Sequence, residues 1–379
     1  MQKTPVKLTF FTQSLQRTGS EIVLFNLLQH ISGAWEKRLV SYYQGELDNK
    51  LQEGIPREIL YRVKPTQRMA SRIIHLLERN IAVPRKLRRL HDSVWYVNTI
   101  VLPDLIEYAE KHHIEVILHV HELEQMYRLL SKVQIERLIE YPSWIIANSE
   151  TSAAVLHKLG RVSRISVCYP GIDTTHIQRD STSYTKCRTE LGIDSGKFVW
   201  LMCGTLDKNK NPFLFLEAAA LLASQQKDAR FLWLGGTSDK AFEQECKKRT
   251  SSLGLSNLVY WLGNKGTAYS YFFNSADGFL LTSERESFSL VTLEALLLGL
   301  PVVSTDCGGV KEVLGNDIGK VIAGTSSAQE LANAMLSYMD KILVFDALKE
   351  RKRGEMFDII PVSQHWNRIL EQILIHSHP

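Results

Sequence analysis

Between Leu290 and Leu298 the chain reads Leu-Val-Thr-Leu-Glu-Ala-Leu-Leu-Leu, a helical stretch that is apolar on almost every side. Such a helix has no face for solvent and must be buried between other layers. It ends at Gly299, a residue suited to the C′ position, and Pro301 opens the strand Val302-Val-Ser-Thr305, which runs into Asp306-Cys-Gly-Gly309. A buried helix followed at once by a buried strand is a unit of parallel α/β sheet. The helix N-terminus and the glycine turn then lie at the same sheet edge, where open α/β sheets bind ligands.

The polar residues of this stretch say what kind of ligand. Glu294 stands in the apolar helix without an arginine or lysine three or four positions away, so its partner is a distant side chain or a bound molecule. The amides of Phe288, Ser289 and Leu290 open the helix, where unsatisfied N–H donors and the positive end of the helix dipole suit a phosphate. Phosphate on those amides and hydroxyls on Glu294 describe a nucleotide.

The rest of the 379-residue chain repeats the α/β rhythm. Apolar strands are expected at Val6–Phe11, Val94–Val97, Val116–Val120, Ile145–Ser149, Phe198–Cys203, Phe231–Leu234, Val259–Gly263 and from Ala276 to Ser283. Strands alternating with helices predict doubly wound parallel sheets, and this length predicts two domains. The polar segment 174–197 is the expected linker, giving domains 1–190 and 191–355. The first strand leads through the loop 12–20 into a helix, without Gly-x-Gly-x-x-Gly, so no dinucleotide fingerprint is present. With 44% hydrophobic residues and a net charge of +4, the chain is ordinary for a soluble enzyme. Its longest apolar runs fall short of the roughly 18 residues of a membrane span. Leu8-Thr-Phe-Phe11 is too short for a signal peptide, and five dispersed cysteines predict reduced thiols, no zinc site and a cytoplasmic location.

Glu286 and Glu294, with seven residues between them and followed by Gly-Leu-Pro-Val-Val and Cys-Gly-Gly-Val-Lys-Glu, resemble the E-x7-E signature of the family 4 retaining glycosyltransferases (glycosyl transferases group 1). The resemblance implies the GT-B fold, two Rossmann-like domains facing each other across a cleft, with a C-terminal helix, 356–379, crossing back to the first domain. It extends to Thr18-Gly-Ser-Glu21, where the family has Gly-Gly-x-Glu, to His119-Val-His-Glu122, to Ser149, to Pro170-Gly-Ile-Asp173, and to Gly204 through Lys210. By resemblance, Glu294 holds the ribose, Glu286 the sugar hydroxyls, and Lys210 with the Phe288, Ser289 and Leu290 amides the diphosphate. Gly19 and Gly204 let backbone approach the donor, and His121 faces the reacting sugar. Lys208 is the alternative for the charge, and a solvated loop is the plain role for Lys210. His119 is expected to be structural, and Asp306 and Glu312 are secondary candidates.

What the resemblance implies is retaining transfer of a sugar from a nucleotide-diphosphate sugar to a hydroxyl in cell-envelope polysaccharide, glycolipid or other glycan synthesis. No metal or cofactor is expected, and the chain has no Asp-x-Asp triplet. Thr18 and Thr205 stand where relatives carry glycine and arginine, which leaves open a nucleotide-sugar-binding partner subunit without turnover. The segment from Arg62 to Arg89 holds nine basic residues, Arg68 among them, against Glu78 alone. It is a solvated helix face or a contact with an anionic membrane at its inner face, where a lipid-linked acceptor would reside. Nucleic acid is not expected, since no recognised module accompanies the charge.

Overall fold

Two all-parallel sheets organise the chain, which a computed structural model describes over residues 6–377 apart from 17, 34, 63, 66–68, 226 and 323–326. Unit 1 comprises residues 1–172 and 358–379, and unit 2 residues 173–357. Arg68 lies outside the described residues.

In unit 1 the strands are β1 (Lys7–Thr12), β2 (Glu36–Ser41), β3 (Arg57–Ile59), β4 (Val94–Val97), β5 (Val116–Val120), β6 (Trp144–Ala147) and β7 (Ile165–Val167). Their order is β3-β2-β1-β4-β5-β6-β7. Unit 2 contributes β8 (Phe198–Cys203), β9 (Ala229–Leu234), β10 (Val259–Gly263), β11 (Gly278–Leu281), β12 (Val302–Thr305) and β13 (Lys320–Ile322), in the order β10-β9-β8-β11-β12-β13. Each order reverses once, between β1 and β4 and between β8 and β11. Those reversals are the switch points at which the carboxyl ends of such sheets leave a crevice. The central strands are apolar on both faces because helices cover both; Phe10, Phe11, Trp200, Leu201 and Phe279 are fully buried.

The short strands β3, β7 and β13 carry no apolar run for a sequence pattern to reveal. They lie at sheet edges, and each keeps partly exposed residues.

The expected boundary at 190/191 shifts to 172/173. Helix Ser181–Glu190 belongs to unit 2 because Arg188, 2% exposed, runs inward from it. Arg188 donates to the carbonyls of Ser275 and Lys197 at 2.9 Å each and pairs with Asp277. A polar composition therefore conceals an element pinned by one buried guanidinium.

Helix Ile359–Ser377 is part of unit 1. Trp366, fully buried, donates its indole N–H to Tyr96 Oη at 3.0 Å, and Asn367 accepts from the Ser32 amide and donates to the His30 carbonyl. Gly171 passes directly beneath this helix: a Cβ there would lie 2.9 Å from Val362 Cβ. The glycine of Pro170-Gly-Ile-Asp173 thus permits a close approach of backbone to helix. Among the described residues no helix is long and apolar enough to cross a membrane.

Candidate active site

In unit 2 the switch point is where Lys210 and Glu286 meet. β11 ends at Leu281, and the loop after it is stitched to the loop after β8 by three bonds. Thr282 Oγ1 donates to the Lys210 carbonyl at 2.8 Å, the Glu284 amide to the Asn209 carbonyl at 2.7 Å, and Asn209 Nδ2 to the Arg285 carbonyl at 3.0 Å. The Lys210 amide donates to Asp207 Oδ1, so both of its backbone polar groups are held. Its ammonium then contacts Glu286 Oε1 at 2.5 Å, with side chains 18% and 13% exposed. Burial pulls the Lys210 pKa down, the Glu286 carboxylate more than offsets it, and the ammonium ends above its ordinary 10.5. Since an ammonium carries three donors, the bond to Glu286 leaves capacity for phosphate oxygens.

Gly204 makes this possible. Its φ is +157°, and a Cβ there would stand 2.9 Å from Lys210 Cε. The glycine gives the lysine stem a groove, beside any part it takes in approaching a ligand.

Glu286 is fixed by the paired glycines. Its amide donates to the Cys307 carbonyl at 2.7 Å and its carbonyl accepts from Gly309 N–H at 2.8 Å, forming a parallel bridge to Gly308. A Cβ on Gly309 would sit 2.0 Å from the Ser287 carbonyl oxygen. The turn must therefore lack side chains for the Glu286 loop to lie on it. Of the secondary candidates, Asp306 pairs with Lys311 at 2.7 Å, and Glu312 stands in the first turn of helix Val310–Leu314.

The apolar helix spans Leu290–Leu297, and Gly299 follows it with φ +62°. Ser289 precedes it in the left-handed region, φ +97°, a strain of about 1–3 kcal/mol for a residue with a Cβ. Its hydroxyl does not cap the helix amides and bonds Thr292 Oγ1 at 2.8 Å instead. Phe288 is anchored inward against Phe357, ring centroids 5.1 Å apart. Glu294 is half-buried, not enclosed as its apolar neighbours suggest, because it sits on the edge of the helix that faces Tyr269. Tyr269 Oη donates to Glu294 Oε1 at 2.8 Å. This is the distant partner the sequence demanded, and it uses one of a carboxylate's roughly four acceptor positions.

In unit 1 the corresponding switch point gathers the ends of β1, β4 and β5. Asn98, one residue past β4, donates from Nδ2 to the Ser20 carbonyl at 3.1 Å, and its Oδ1 lies 2.9 Å from His121 Nε2. A carbonyl only accepts, so the Asn98 amide orientation follows, and His121 must donate from Nε2. Burial lowers the His121 pKa to about 3, leaving a neutral ring whose buried Nδ1 has no partner among the described residues. His119, fully buried, has Nδ1 2.7 Å from Tyr96 Oη, and burial lowers its pKa too. It is a structural histidine joined through Tyr96 to Trp366. Gly19 opens helix Gly19–Gln29, and a Cβ on it would meet nothing within 4 Å.

Sequence patterns miss Asn98 altogether, and of Glu21, part of a matched motif, they miss the role. Glu21 is 6% exposed and gathers the loop before it: Ser14 Oγ at 2.6 Å, the Gln16 amide at 3.0 Å and Thr18 Oγ1 at 2.8 Å. A glutamate in the first turn of a helix signals capping, but not a clasp on three loop residues. Glu21→Ala is expected to cost about 2–3 kcal/mol, because it strands the buried Ser14 hydroxyl and the part-buried Gln16 amide. Hydrogen exchange should show faster exchange of the amides of Ser14, Gln16 and Thr18; unchanged protection there would mean the clasp does not hold them.

Among the described residues no group of three or more His, Cys, Asp or Glu side chains is placed to hold a metal ion. All five cysteines are buried and unpaired.

Residues 183–353 match the family model for glycosyl transferases group 1. A D-inositol 3-phosphate glycosyltransferase of Arthrobacter sp. (strain FB24) is 31% identical over 182 residues, 47% of this chain but only 43% of that protein, so the chain spans less than half of its length. The lipopolysaccharide core biosynthesis mannosyltransferase LpsB of Rhizobium meliloti (strain 1021) is 25% identical over 84% of this chain and 87% of its own. Anabaena Alr3699/HepE, solved in complex with UDP and glucose, superposes with a TM-score of 0.81 over 97% of this chain and 99% of its own, at 22% identity. With its two doubly wound sheets this chain has the GT-B fold, and the part of it that carries the Glu286–Gly309 unit, residues 183–353, is similar to the glycosyl transferases group 1 family.

Proposed function

We propose that this chain is a retaining, metal-independent glycosyltransferase that moves a sugar from a nucleotide-diphosphate donor to a hydroxyl of a glycan or lipid-linked acceptor, at the cytoplasmic face of a membrane. The observation that carries the proposal is the Lys210–Glu286 pair, held from both loops at the switch point beside the start of helix Leu290–Leu297. Breaking the glycosidic bond sends negative charge onto the leaving diphosphate. A fixed ammonium and the helix N-terminus meet that charge without solvent reorganisation. Glu286 is assigned the sugar hydroxyls, next to a ring that gains positive charge in the transition state. Glu294, with Tyr269 orienting it, is assigned the ribose. His121 is assigned the reacting sugar, where a neutral imidazole with an open lone pair accepts a hydroxyl without adding charge. Relatives that are named as sugar transferases, and a fold neighbour bound to UDP and glucose, agree with the proposal.

A thermal-shift panel of UDP-, GDP-, ADP-, dTDP- and CMP-sugars tests it. At a hundredfold excess over Kd, the donor should raise the transition by about 5 °C. Transfer should persist in excess chelator, and proton NMR should show the donor's anomeric configuration in the product. A chelator block reversed by magnesium or manganese, or an inverted product, would overturn the mechanism. A shift without transfer to any acceptor would favour the silent partner subunit.

A further inference from the structure

The helix Met69–Leu77 is amphipathic, and it is docked with its polar side inward. Side chains 100° apart per residue place Met69, Ile73, Leu76 and Leu77 within an arc of roughly 100°, with Ser71, His75 and Glu78 on the other side. Ordinarily that apolar arc would seal the core. Here no residue of the helix is buried, and Met69, Ile73, Leu76 and Leu77 are 77%, 52%, 56% and 55% exposed. The body of unit 1 is met by the polar side instead. His75 stacks on Tyr61 with ring centroids 4.5 Å apart, and the Glu78 carboxylate accepts from the Arg62 amide at 3.2 Å.

Charge follows the same arrangement. Arg72, Arg79, Arg85, Arg88 and Arg89 are all exposed, on this helix and on the π turn and helix that continue it to Arg88–Arg89. The only carboxylate between residues 62 and 89 is Glu78, and it is turned to the protein. Lys86 does not join the surface charge, because its ammonium is tied to the Ile59 and Leu60 carbonyls.

We propose that residues 69–89 are an interfacial anchor for a bilayer rich in anionic lipid, with the apolar arc entering the acyl boundary and the arginines meeting headgroup phosphates. An exposed apolar face of this size requires a partner. A surface with five guanidiniums and no outward carboxylate selects an anionic one. A second copy fits poorly, since two such faces would bring like charges together. The inference rests on the glycosyl-transfer proposal only in that a lipid-linked acceptor gives the contact a purpose.

Flotation of the full chain with phosphatidylcholine vesicles, with and without phosphatidylglycerol, tests it. Wild type should float with the anionic vesicles and be released by high salt. Arg85→Glu/Arg88→Glu/Arg89→Glu should weaken binding about 100-fold, at about fivefold for each arginine. Ile73→Ser/Leu76→Ser/Leu77→Ser should lower it at least tenfold even at low salt, and both variants should keep the donor-induced thermal shift. Equal flotation of wild type and the serine variant would overturn the inference. So would a wild-type dimer in sedimentation that the serine variant dissolves. Flotation that follows these variants while no nucleotide sugar shifts the melting curve would sink the transferase proposal and leave the anchor standing.

Discussion

Lys210→Met is expected to lower affinity for the nucleoside diphosphate of the donor 10- to 100-fold and turnover on the order of a thousandfold. The lost contact is a charge-assisted bond worth about 1.5–3 kcal/mol in the ground state. It is worth more in the transition state, where the diphosphate gains charge in a site already shielded from water. The substitution also leaves Glu286 without its cation at 13% exposure, so some loss of stability should accompany it. Arginine should not rescue: the lysine stem lies against Gly204, and a longer planar head has no groove there. For the same reason Gly204→Ala should displace Lys210 and reproduce part of the loss. Because the Lys210 pKa is raised above its ordinary 10.5, the pair's contribution is complete below that pH and lost only as pH rises through the higher folded value. Donor affinity should therefore show no lysine-dependent fall between about pH 6 and 9. Calorimetry with the free nucleotide and steady-state kinetics decide the matter; affinity within twofold of wild type in Lys210→Met would remove Lys210 from the diphosphate.

The two glutamates of the motif should separate in opposite directions. Glu286→Gln keeps shape and still accepts from Lys210, but the ammonium loses its compensating charge. Free-nucleotide affinity should stay level or rise slightly, while kcat at saturating donor falls on the order of 100- to 1000-fold, since the sugar ring loses a carboxylate as it becomes positive. Glu294→Gln lies beside Tyr269, whose hydroxyl the amide can still meet through its oxygen. What it forfeits is charge-assisted bonding to the ribose, which changes little during reaction. Affinity for donor and free nucleotide should fall together by about 10- to 100-fold, with kcat near wild type. Loss of nucleotide binding in Glu286→Gln with normal binding in Glu294→Gln would reverse the assignments.

Much of the second unit is legible along the chain because its signals are local. An apolar helix, a C′ glycine, a proline-led strand and a paired glycine each report on a few neighbouring residues, and together they place Glu286 just before the helix and Glu294 within it. Even so, Glu294 was expected deeper than it lies, since a helical pattern shows which side chains are apolar and not how far a neighbouring element covers them. Helix Ser181–Glu190 was hidden for a related reason: its composition is polar, and one inward arginine holds it.

By itself, then, the sequence determined the parallel α/β class and the central strands of both sheets, through patterns that repeat within a turn or two of the chain, while the glutamates, lysine and histidine were singled out by the family resemblance of short motifs. Only the tertiary structure decided that Lys210 meets Glu286 across 76 residues, that Asn98 sets the His121 tautomer across 23, and that Glu21 closes the loop before it. Strand order brings distant loops to one sheet edge, and no local period encodes that order. The helix Met69–Leu77 makes the same point from the other side: periodicity defines its two faces, but only the ring of Tyr61, waiting for His75, determines which one turns outward.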